Sequence, residues 1–552
     1  MIHLDGPHLV DEHGRTLLLR GVNLGGSSKL PLSGDSFVGR PFPLADADEH
    51  FERLKSWGLT TLRLLTTWEA VEHAGPGRYD MGYLDYLEAL TARAHALGFD
   101  VFLDFHQDCW SRFSGGDGAP RWTLEDAGFV VEHLHETGAA FLESQHDGPL
   151  PRMIWPTNLG KLASATMFTL FFGGDTFAPK TKLQRHLQDH FFGAVKQVLQ
   201  RVGKYVFAVD LLNEPSPGYI GNTNLEQPFA PVEVGAMPSP LESFRLGMGE
   251  SLDINVYRRG WLGPRVVKKQ RLNPHAKKAW RDRCVWLDHG VWSPDGRLEQ
   301  PNHFAGDFAN DFYAPFLRAA QKHLDGKALC IETEPFHEGP SWSGPGIWAP
   351  HWYDGFALFF QDHRSWLAAD AFTQKPVFGR SRIRKSFAAQ LGRLAAAAEQ
   401  RNLPLIVGEL GVPGHLPPAA MDRTLTAVED ARVSATLWNY TADHTAAKGD
   451  GWNGEDFSIF SREAPRPIDA VARPYPRAIA GRLVRYGFDL KTRRFELELD
   501  AADGVTDIFV PPHHYASGIE VTADGATTYE PPWLRWRASG HAILNLCSVT
   551  RR

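Results

Sequence analysis

Cysteine is scarce in this 552-residue chain. The four cysteines lie far apart, at Cys109, Cys284, Cys330 and Cys547. Their spacing matches no metal-binding motif, and a few scattered thiols are typical of a reducing compartment. The 24 histidines include no HExxH motif, which argues against the zinc site of a metalloprotease. We therefore expect no metal centre and no cofactor.

Long apolar runs and a strong overall charge are also missing. No stretch approaches the roughly 18 uninterrupted apolar residues of a membrane-spanning helix. The first residues, MIHLDGPHLVDEHGRT, contain neither the basic nor the apolar part of a signal peptide. We therefore expect a soluble, cytoplasmic protein. The formal net charge of −7 gives no overall indication of nucleic-acid binding.

The chain does contain a regular alternation of strand-like and helix-like segments. Short apolar runs predict eight strands, at residues 16–25, 61–68, 100–108, 204–215, 327–335, 346–354, 403–411 and 434–440. Amphipathic stretches lie between them, among them 46–58, 81–98, 182–203 and 385–402. This alternation predicts a (β/α)8 TIM barrel, an α/β fold. A doubly wound sheet is the alternative, but GVNLGGSSK, at the end of the first strand, lacks its glycine-rich phosphate loop.

The last part of the chain has a different pattern. After RPYPRAIAG, short alternating runs follow one another with turn signals and without helical spacing, which predicts a small β-sandwich. We expect a barrel domain at residues 1–472 and a C-terminal sandwich at 473–552. The barrel region exceeds the usual length of about 250 residues. Two long insertions, at 109–180 and 216–310, therefore follow strands three and four.

Polar and aromatic side chains stand at the carboxyl ends of the predicted strands. Because these ends meet in one bowl of a barrel, we expect them to form one site: Arg63, His106, Asp108, Asn213, Glu214, His351, Tyr353, Glu409 and Trp438. Glu214 and Glu409 follow strands four and seven, on opposite sides of the barrel. Hydrolysis of a glycosidic bond uses such a pair of carboxylates. Taken alone, each glutamate could also be a helix cap or a partner in an ion pair.

Four motifs carry a resemblance to a known family. LLNEP, VGELG, DFHQD and HWYD together resemble the retaining glycosidases of the cellulase-like family 5. The resemblance implies that Glu214 is the general acid/base and that Glu409 is the nucleophile. It implies supporting roles for further residues: Arg63 and Tyr353 beside the nucleophile, His106 and His351 around the substrate and the acid/base, Asn213 at the sugar 2-hydroxyl, and Trp438 under the sugar.

Within that family the chain is similar to the endoglycoceramidase-related branch. DFHQDCWSR, NEPSPGYIG and WNYTADHTAAKGDGWNGEDFSIFS carry this similarity, and CVWLDHGVW resembles fungal members that remove one glucose from glucosylceramide or steryl glucoside. The resemblance implies a retaining exo-β-glucosidase acting on hydrophobic β-glucosides. Two alternatives are an endoglycoceramidase that releases an intact oligosaccharide, and a glycolipid-binding barrel without catalysis.

Three further signals have two interpretations each. Trp452, Asn453 and Glu455 follow strand eight, where they either contact the sugar or belong to an ordinary loop. The carboxylates Asp104, Asp108, Glu332 and Glu334 are either rivals of the two glutamates or orient other groups. Residues 258–283 contain ten Lys or Arg and one Asp, with Trp261 and Trp280 among them. This basic segment either contacts an anionic membrane surface or is a solvated insertion.

Overall fold

Eight parallel strands form the centre of the molecule. The computed structural model describes residues 2–30, 40–260, 263–333, 337 and 339–549. The barrel strands, in chain order, are Arg20–Leu24, Thr61–Thr66, Asp100–Phe105, Val206–Asp210, Ala328–Ile331, Ile347–Trp348, Ile406–Leu410 and Ser434–Tyr440. Strands one to six pair in sequence, and the eighth lies between the first and the seventh. A parallel bridge from Trp348 to Leu405 joins the sixth strand to the seventh. The predicted barrel is therefore confirmed.

Helices cover the outside of the barrel. The four predicted amphipathic stretches form helices Ala47–Ser56, Met81–Ala96, Leu183–Val202 and Arg380–Gln400. The second begins where the Asp80 side chain accepts a hydrogen bond from the Tyr83 amide, as an N-cap residue does. Further helices are Trp68–Glu72, Arg121–Asp126, Ala314–Ala320, Gly355–Phe360, Pro418–Ala431 and Ile468–Val471. Their apolar faces pack on the strands and form one large core with them.

The two insertions add structure above the carboxyl ends of strands three and four. The first contains helix Leu162–Phe177, whose phenylalanines Phe168, Phe171 and Phe172 are buried in the main core. This apolar run therefore packs inside the protein. The second insertion contains helices Pro240–Gly247 and Val285–Asp288 and the antiparallel strands Leu252–Gly260 and Gly263–Leu272.

The C-terminal region is rich in strands, as predicted. Its strands are Tyr475–Ile479, Gly481–Asp489, Arg494–Ala501, Thr506–Phe509, Ile519–Ala523, Ala526–Glu530, Trp533–Arg537 and Gly540–Ser548, with a short helix at Pro512–Tyr515. They form two sheets around a separate apolar core. Three N-terminal strands, His3–Asp5, His8–Val10 and Thr16–Leu17, extend one of these sheets through the pairing of Leu17 with Ala478. The boundary after residue 472 stays a prediction.

In the described ranges, no helix combines the length and the apolar character that crossing a membrane requires.

Candidate active site

Arg63 occupies the middle of the bowl at the carboxyl ends of the strands. It comes from strand two, and its fully buried guanidinium contacts carboxylates delivered by four other strands. The nitrogen–oxygen distances are 2.7 Å to Glu409, 2.8 Å to Asp210, 2.5 Å to Glu332 and 3.1 Å to Asp104. Burial acts to lower the pKa of Arg63, but these carboxylates outweigh it and raise the pKa well above its usual range. One cation thus holds four acidic side chains in place.

Glu409 is held by two donors. Its Oε1 accepts a hydrogen bond from Nη1 of Arg63 at 2.7 Å, and its Oε2 accepts one from the Tyr353 hydroxyl at 2.7 Å. Only 4 % of the residue is exposed. These two hydrogen bonds fix the orientation of the carboxylate.

Glu214 lies just beyond the end of strand four, in a different environment. Its backbone has a φ of 41°, in the left-handed region that non-glycine residues seldom adopt. The amide donates to Oε2 of Glu332 at 2.7 Å and so fixes this turn. Burial raises the pKa of Glu214 to about 7; the nearby charge of Glu409 adds to this, while His351 acts against it. The side chain is still 21 % exposed, so it remains accessible from the bowl.

The two glutamates approach each other closely. One carboxylate oxygen of Glu214, one of Glu409 and a ring nitrogen of His351 all lie within 4.8 Å of one another. Retaining glycosidases hold their two carboxyl groups about 5–5.5 Å apart, whereas inverting enzymes leave about 6.5–9.5 Å for a water molecule. The observed separation fits the retaining geometry.

His351 connects the pair to the acidic cluster. Its Nδ1 lies 2.8 Å from Oε1 of Glu214, and its Nε2 lies 2.9 Å from Oε1 of Glu332. Burial acts to lower the pKa of His351, but the carboxylates of Glu332 and Glu409 outweigh it and raise the pKa well above its usual range. The imidazolium therefore donates through both nitrogens, which gives Glu214 a charged neighbour.

A second group of charges lies across the bowl, beside Trp438. The His106 ring stacks on Trp438, with centroids 5.3 Å apart. Its nitrogens lie 2.7 Å from Asp104 and 3.2 Å from Asp108. Burial acts to lower the pKa of His106, but Asp104 outweighs it and raises the pKa to about 10. Asp108 also receives a hydrogen bond from Lys29 at 2.5 Å.

Lys29 was not anticipated from the sequence. Its ammonium lies 3.5 Å from the centroid of the Trp452 ring and 4.8 Å from that of Trp438, within the range of cation–π contacts. Oδ2 of the fully buried Asp117 lies 3.6 Å away. The sequence signal for this residue is a lysine just after predicted strand one, at the end of the stretch GVNLGGSSK.

Asn213 and the segment after strand eight complete the bowl. Asn213 accepts a hydrogen bond from Nη2 of Arg63 at 3.1 Å, and its amide nitrogen donates to the backbone carbonyl of Gln107 at 3.2 Å. Oε2 of Glu455 accepts a hydrogen bond from the Trp438 indole at 3.3 Å. The structure thus brings these predicted residues together with the others at one end of the barrel. Asn453 lies at the rim, where its backbone amide donates to the Glu143 side chain.

The rival carboxylates have distinct positions. Glu332 contacts both Arg63 and His351. These two residues in turn contact Glu409 and Glu214, so Glu332 adjoins the two glutamates through its neighbours. Glu334 falls outside the described residues. Asp210 was missed, although an aspartate within the apolar run FAVDLL is itself a signal, since buried carboxylates are almost always paired.

Three sets of acidic and histidine side chains are close enough to share a cation within the described ranges. They are His106 with Asp108 and Asp117, Glu214 with His351 and Glu409, and His444 with Asp450 and Asp456. In each set a protein cation already contacts a carboxylate: Lys29 on Asp108, Arg63 on Glu409 and Arg466 on Asp456. Each set therefore already has a positively charged side chain at one of its carboxylates.

A barrel that presents two opposed carboxylates at this spacing has the architecture of a glycoside hydrolase. Comparison with known proteins agrees. Residues 10–134 match the cellulase (glycosyl hydrolase family 5) model, and residues 473–546 match the glycoside hydrolase family 5 C-terminal domain.

The similarity extends over nearly the whole chain. It is 36% identical to a glucosylceramidase of Rhizopus delemar, over 94% of this chain and 90% of that protein. It is 29% identical to an ergosteryl-beta-glucosidase of Saccharomyces cerevisiae, over 100% of this chain and 96% of that protein. A crystal structure of Cryptococcus neoformans sterylglucosidase 1 superposes with a TM-score of 0.93 at 30% identity, covering 99% of this chain and 97% of that one. The chain belongs to glycoside hydrolase family 5.

Proposed function

We propose that this protein is a retaining exo-β-glucosidase that hydrolyses hydrophobic β-glucosides such as glucosylceramide and steryl glucoside. The observation that carries the proposal is the pair of Glu214 and Glu409, with oxygens within 4.8 Å of each other and with different surroundings. The names of the relatives support the class of substrate.

The first step forms a covalent intermediate. A carboxylate oxygen of Glu409 attacks the anomeric carbon, and the bond from that carbon to the aglycone oxygen breaks. Glu214 transfers its proton to the departing oxygen, so the aglycone leaves as a neutral alcohol. A pKa of about 7 keeps a large fraction of Glu214 protonated near neutral pH, as a general acid requires.

The second step returns the enzyme to its starting state. Glu214, now a carboxylate, takes a proton from a water molecule, whose oxygen attacks the anomeric carbon and displaces Glu409. Glucose leaves with its β configuration retained. Both glutamates end in their original protonation states.

The surrounding residues serve these two steps. Arg63 and Tyr353 hold the nucleophile through the two hydrogen bonds to its oxygens. We assign His351 to orienting Glu214 and Asn213 to the sugar 2-hydroxyl. His106 and Asp108 face the remaining hydroxyls, Trp438 lies under the sugar ring, and Trp452, Asn453 and Glu455 border the far side of the glucose.

Exo action is supported by contacts on the side of the glucose that Trp452, Asn453 and Glu455 border. The Trp155 ring packs against Trp452 with centroids 4.8 Å apart, and Glu143 accepts a hydrogen bond from the Asn453 amide. Both Trp155 and Glu143 belong to the 109–180 insertion, so this insertion borders the segment after strand eight. An endoglycoceramidase needs open space there for further sugars. We therefore favour removal of a single glucose over release of an oligosaccharide.

A hydrophobic aglycone also implies work at a lipid surface. We propose peripheral contact with a membrane through the basic 258–283 segment, and a cytoplasmic location. Trp261 of that segment falls outside the described residues.

Product analysis tests the proposal. The wild type is incubated with glucosylceramide, a steryl glucoside and lactosylceramide, and Glu409→Gln is the matched control because it keeps the size of the side chain. We expect glucose from the first two substrates and none from the control. Intact lactose released from lactosylceramide would overturn exo action. Glycolipid binding by both proteins without hydrolysis by either would support the non-catalytic alternative.

A further inference from the structure

Two ribbons of antiparallel strands project beside the mouth of the bowl. The basic ribbon consists of residues 252–260 and 263–272, in the connection after strand four. The aromatic ribbon consists of residues 366–378, after strand six, where Leu367 pairs with Phe378. Both connections leave the carboxyl ends of barrel strands, so both lie on the face that contains the site.

Side-chain contacts join the ribbons to the site. The Arg259 guanidinium lies 4.7 Å from the centroid of Phe359 and donates to Gln374 of the aromatic ribbon at 3.1 Å. Phe359 belongs to helix Gly355–Phe360, which begins two residues after Tyr353. These contacts join the two ribbons to each other and to the helix that follows Tyr353 of the site.

The basic ribbon carries a large excess of positive charge. Its 252–272 stretch contains one acidic residue, Asp253, and six cations: Arg258, Arg259, Arg265, Lys268, Lys269 and Arg271. Arg271 pairs with Asp253; within the described ranges, the other five have no carboxylate at ion-pair distance. Arg265 stands directly opposite Arg258 in the strand register, and like charges in that position destabilise a sheet. The arrangement favours an external anionic partner.

Each ribbon exposes a pair of apolar side chains. Val266 and Val267 are 49% and 47% exposed, and Trp366 and Phe378 are 55% and 53% exposed, with their rings stacked at 6.2 Å. These four are more than half of the seven large apolar side chains that are exposed in the described part of the chain. Clustered exposed apolar groups mark interaction sites.

We propose that the two ribbons together form a docking surface for anionic phospholipid bilayers, which holds the mouth of the bowl against the membrane. The cations attract the acidic headgroups, and the exposed Trp366, Phe378 and valines enter the interfacial region. A nucleic acid or an acidic protein would use the charges but would leave the apolar groups without a role. The reason for docking rests on the proposed function, since a lipid glucoside is supplied from a bilayer.

Vesicle sedimentation tests the proposal independently of catalysis. The full chain is mixed with vesicles of phosphatidylcholine alone, or with about 30 mol % phosphatidylserine added. The variants are R258S/R265S/K268S/K269S and W366S/F378S. The control is K491S/R494S, which removes two exposed cations from the C-terminal region. Hydrolysis of a soluble aryl β-glucoside shows whether each variant is folded, and we expect it to be unchanged.

We expect the wild type and the control to bind the anionic vesicles and to be released by salt. The quadruple variant R258S/R265S/K268S/K269S should bind these vesicles at least about tenfold more weakly than the wild type. W366S/F378S should bind them more weakly than the wild type at every salt concentration. Equal binding by the wild type and the quadruple variant would overturn the proposal. So would binding only to heparin or DNA, which would indicate a different polyanionic partner. Because sedimentation requires no turnover, failure here leaves the assignment of Glu214 and Glu409 untouched.

Discussion

The bowl and the basic ribbon both contain many charged side chains, but their surroundings differ. In the bowl, Arg63, His351 and His106 are buried, and each contacts two or more carboxylates. In the ribbon, five of the six cations are exposed, and Arg258 faces Arg265. Burial strengthens electrostatic interactions and couples the groups in the bowl, whereas water screens each charge of the ribbon separately. The bowl is therefore suited to setting protonation states and the ribbon to attracting a partner.

Substitution of Arg63 tests the bowl side of this comparison and carries the largest expected effect on stability. We expect Arg63→Met to lower the free energy of unfolding by about 3–5 kcal/mol, because it leaves buried carboxylates without their cation. Urea denaturation followed by circular dichroism measures the change. A loss below about 1 kcal/mol would mean that the cluster is less coupled than its geometry indicates.

Substitution of His351 tests how the bowl sets a protonation state. The general acid must be protonated, so kcat/KM should fall as pH rises through the Glu214 pKa of about 7. His351 acts to lower that pKa, so its removal should raise it. We expect the alkaline limb of the His351→Gln variant to move upward by about one pH unit relative to the wild type.

The pH profile of kcat/KM on a soluble aryl glucoside measures this shift. The wild-type profile, recorded in the same buffers, is the reference. Movement of the alkaline limb toward lower pH would contradict the assignment of Glu214 as the acid.

Substitution in the ribbon should have the smallest effect on stability. We expect R258S/R265S to change the free energy of unfolding by no more than about 0.5 kcal/mol, since exposed charges contribute little. A small gain is the expected sign, because the facing pair repels. Thermal unfolding beside the wild type measures it, and a loss of several kcal/mol would show that these cations support the fold.

The fold could be predicted from the sequence because each barrel strand is a short, contiguous run of apolar residues. Nearly every run of apolar residues ends in a polar or aromatic residue, and the eight ends share one bowl. The members of the site that were missed or undervalued depend on register across strands. Asp210 and Glu332 meet Arg63 because strand tilt brings them into one layer, and no local pattern encodes that layer. Lys29 reaches Asp108 across 79 positions of the chain, so its role too depends on the closed barrel.

The basic segment shows a second limit. Its composition was visible in the sequence, but two interpretations remained because composition does not place a segment relative to the site. The fold places its first part on a ribbon beside the mouth and buries Trp280 against Phe129 with ring centroids 4.1 Å apart. Trp280 is thus a core residue. Among the described residues of this segment, the exposed large apolar side chains are Val266 and Val267.

Trapping of the covalent intermediate tests the central claim most directly. A 2-deoxy-2-fluoro-β-glucoside with a good leaving group slows both steps, the second more than the first, so the glucosyl-enzyme accumulates. We predict that mass spectrometry of the digested protein finds one fluoroglucosyl group, on Glu409, and none in Glu409→Gln. A label on Glu214 or Glu332, or full turnover without any label, would contradict the account.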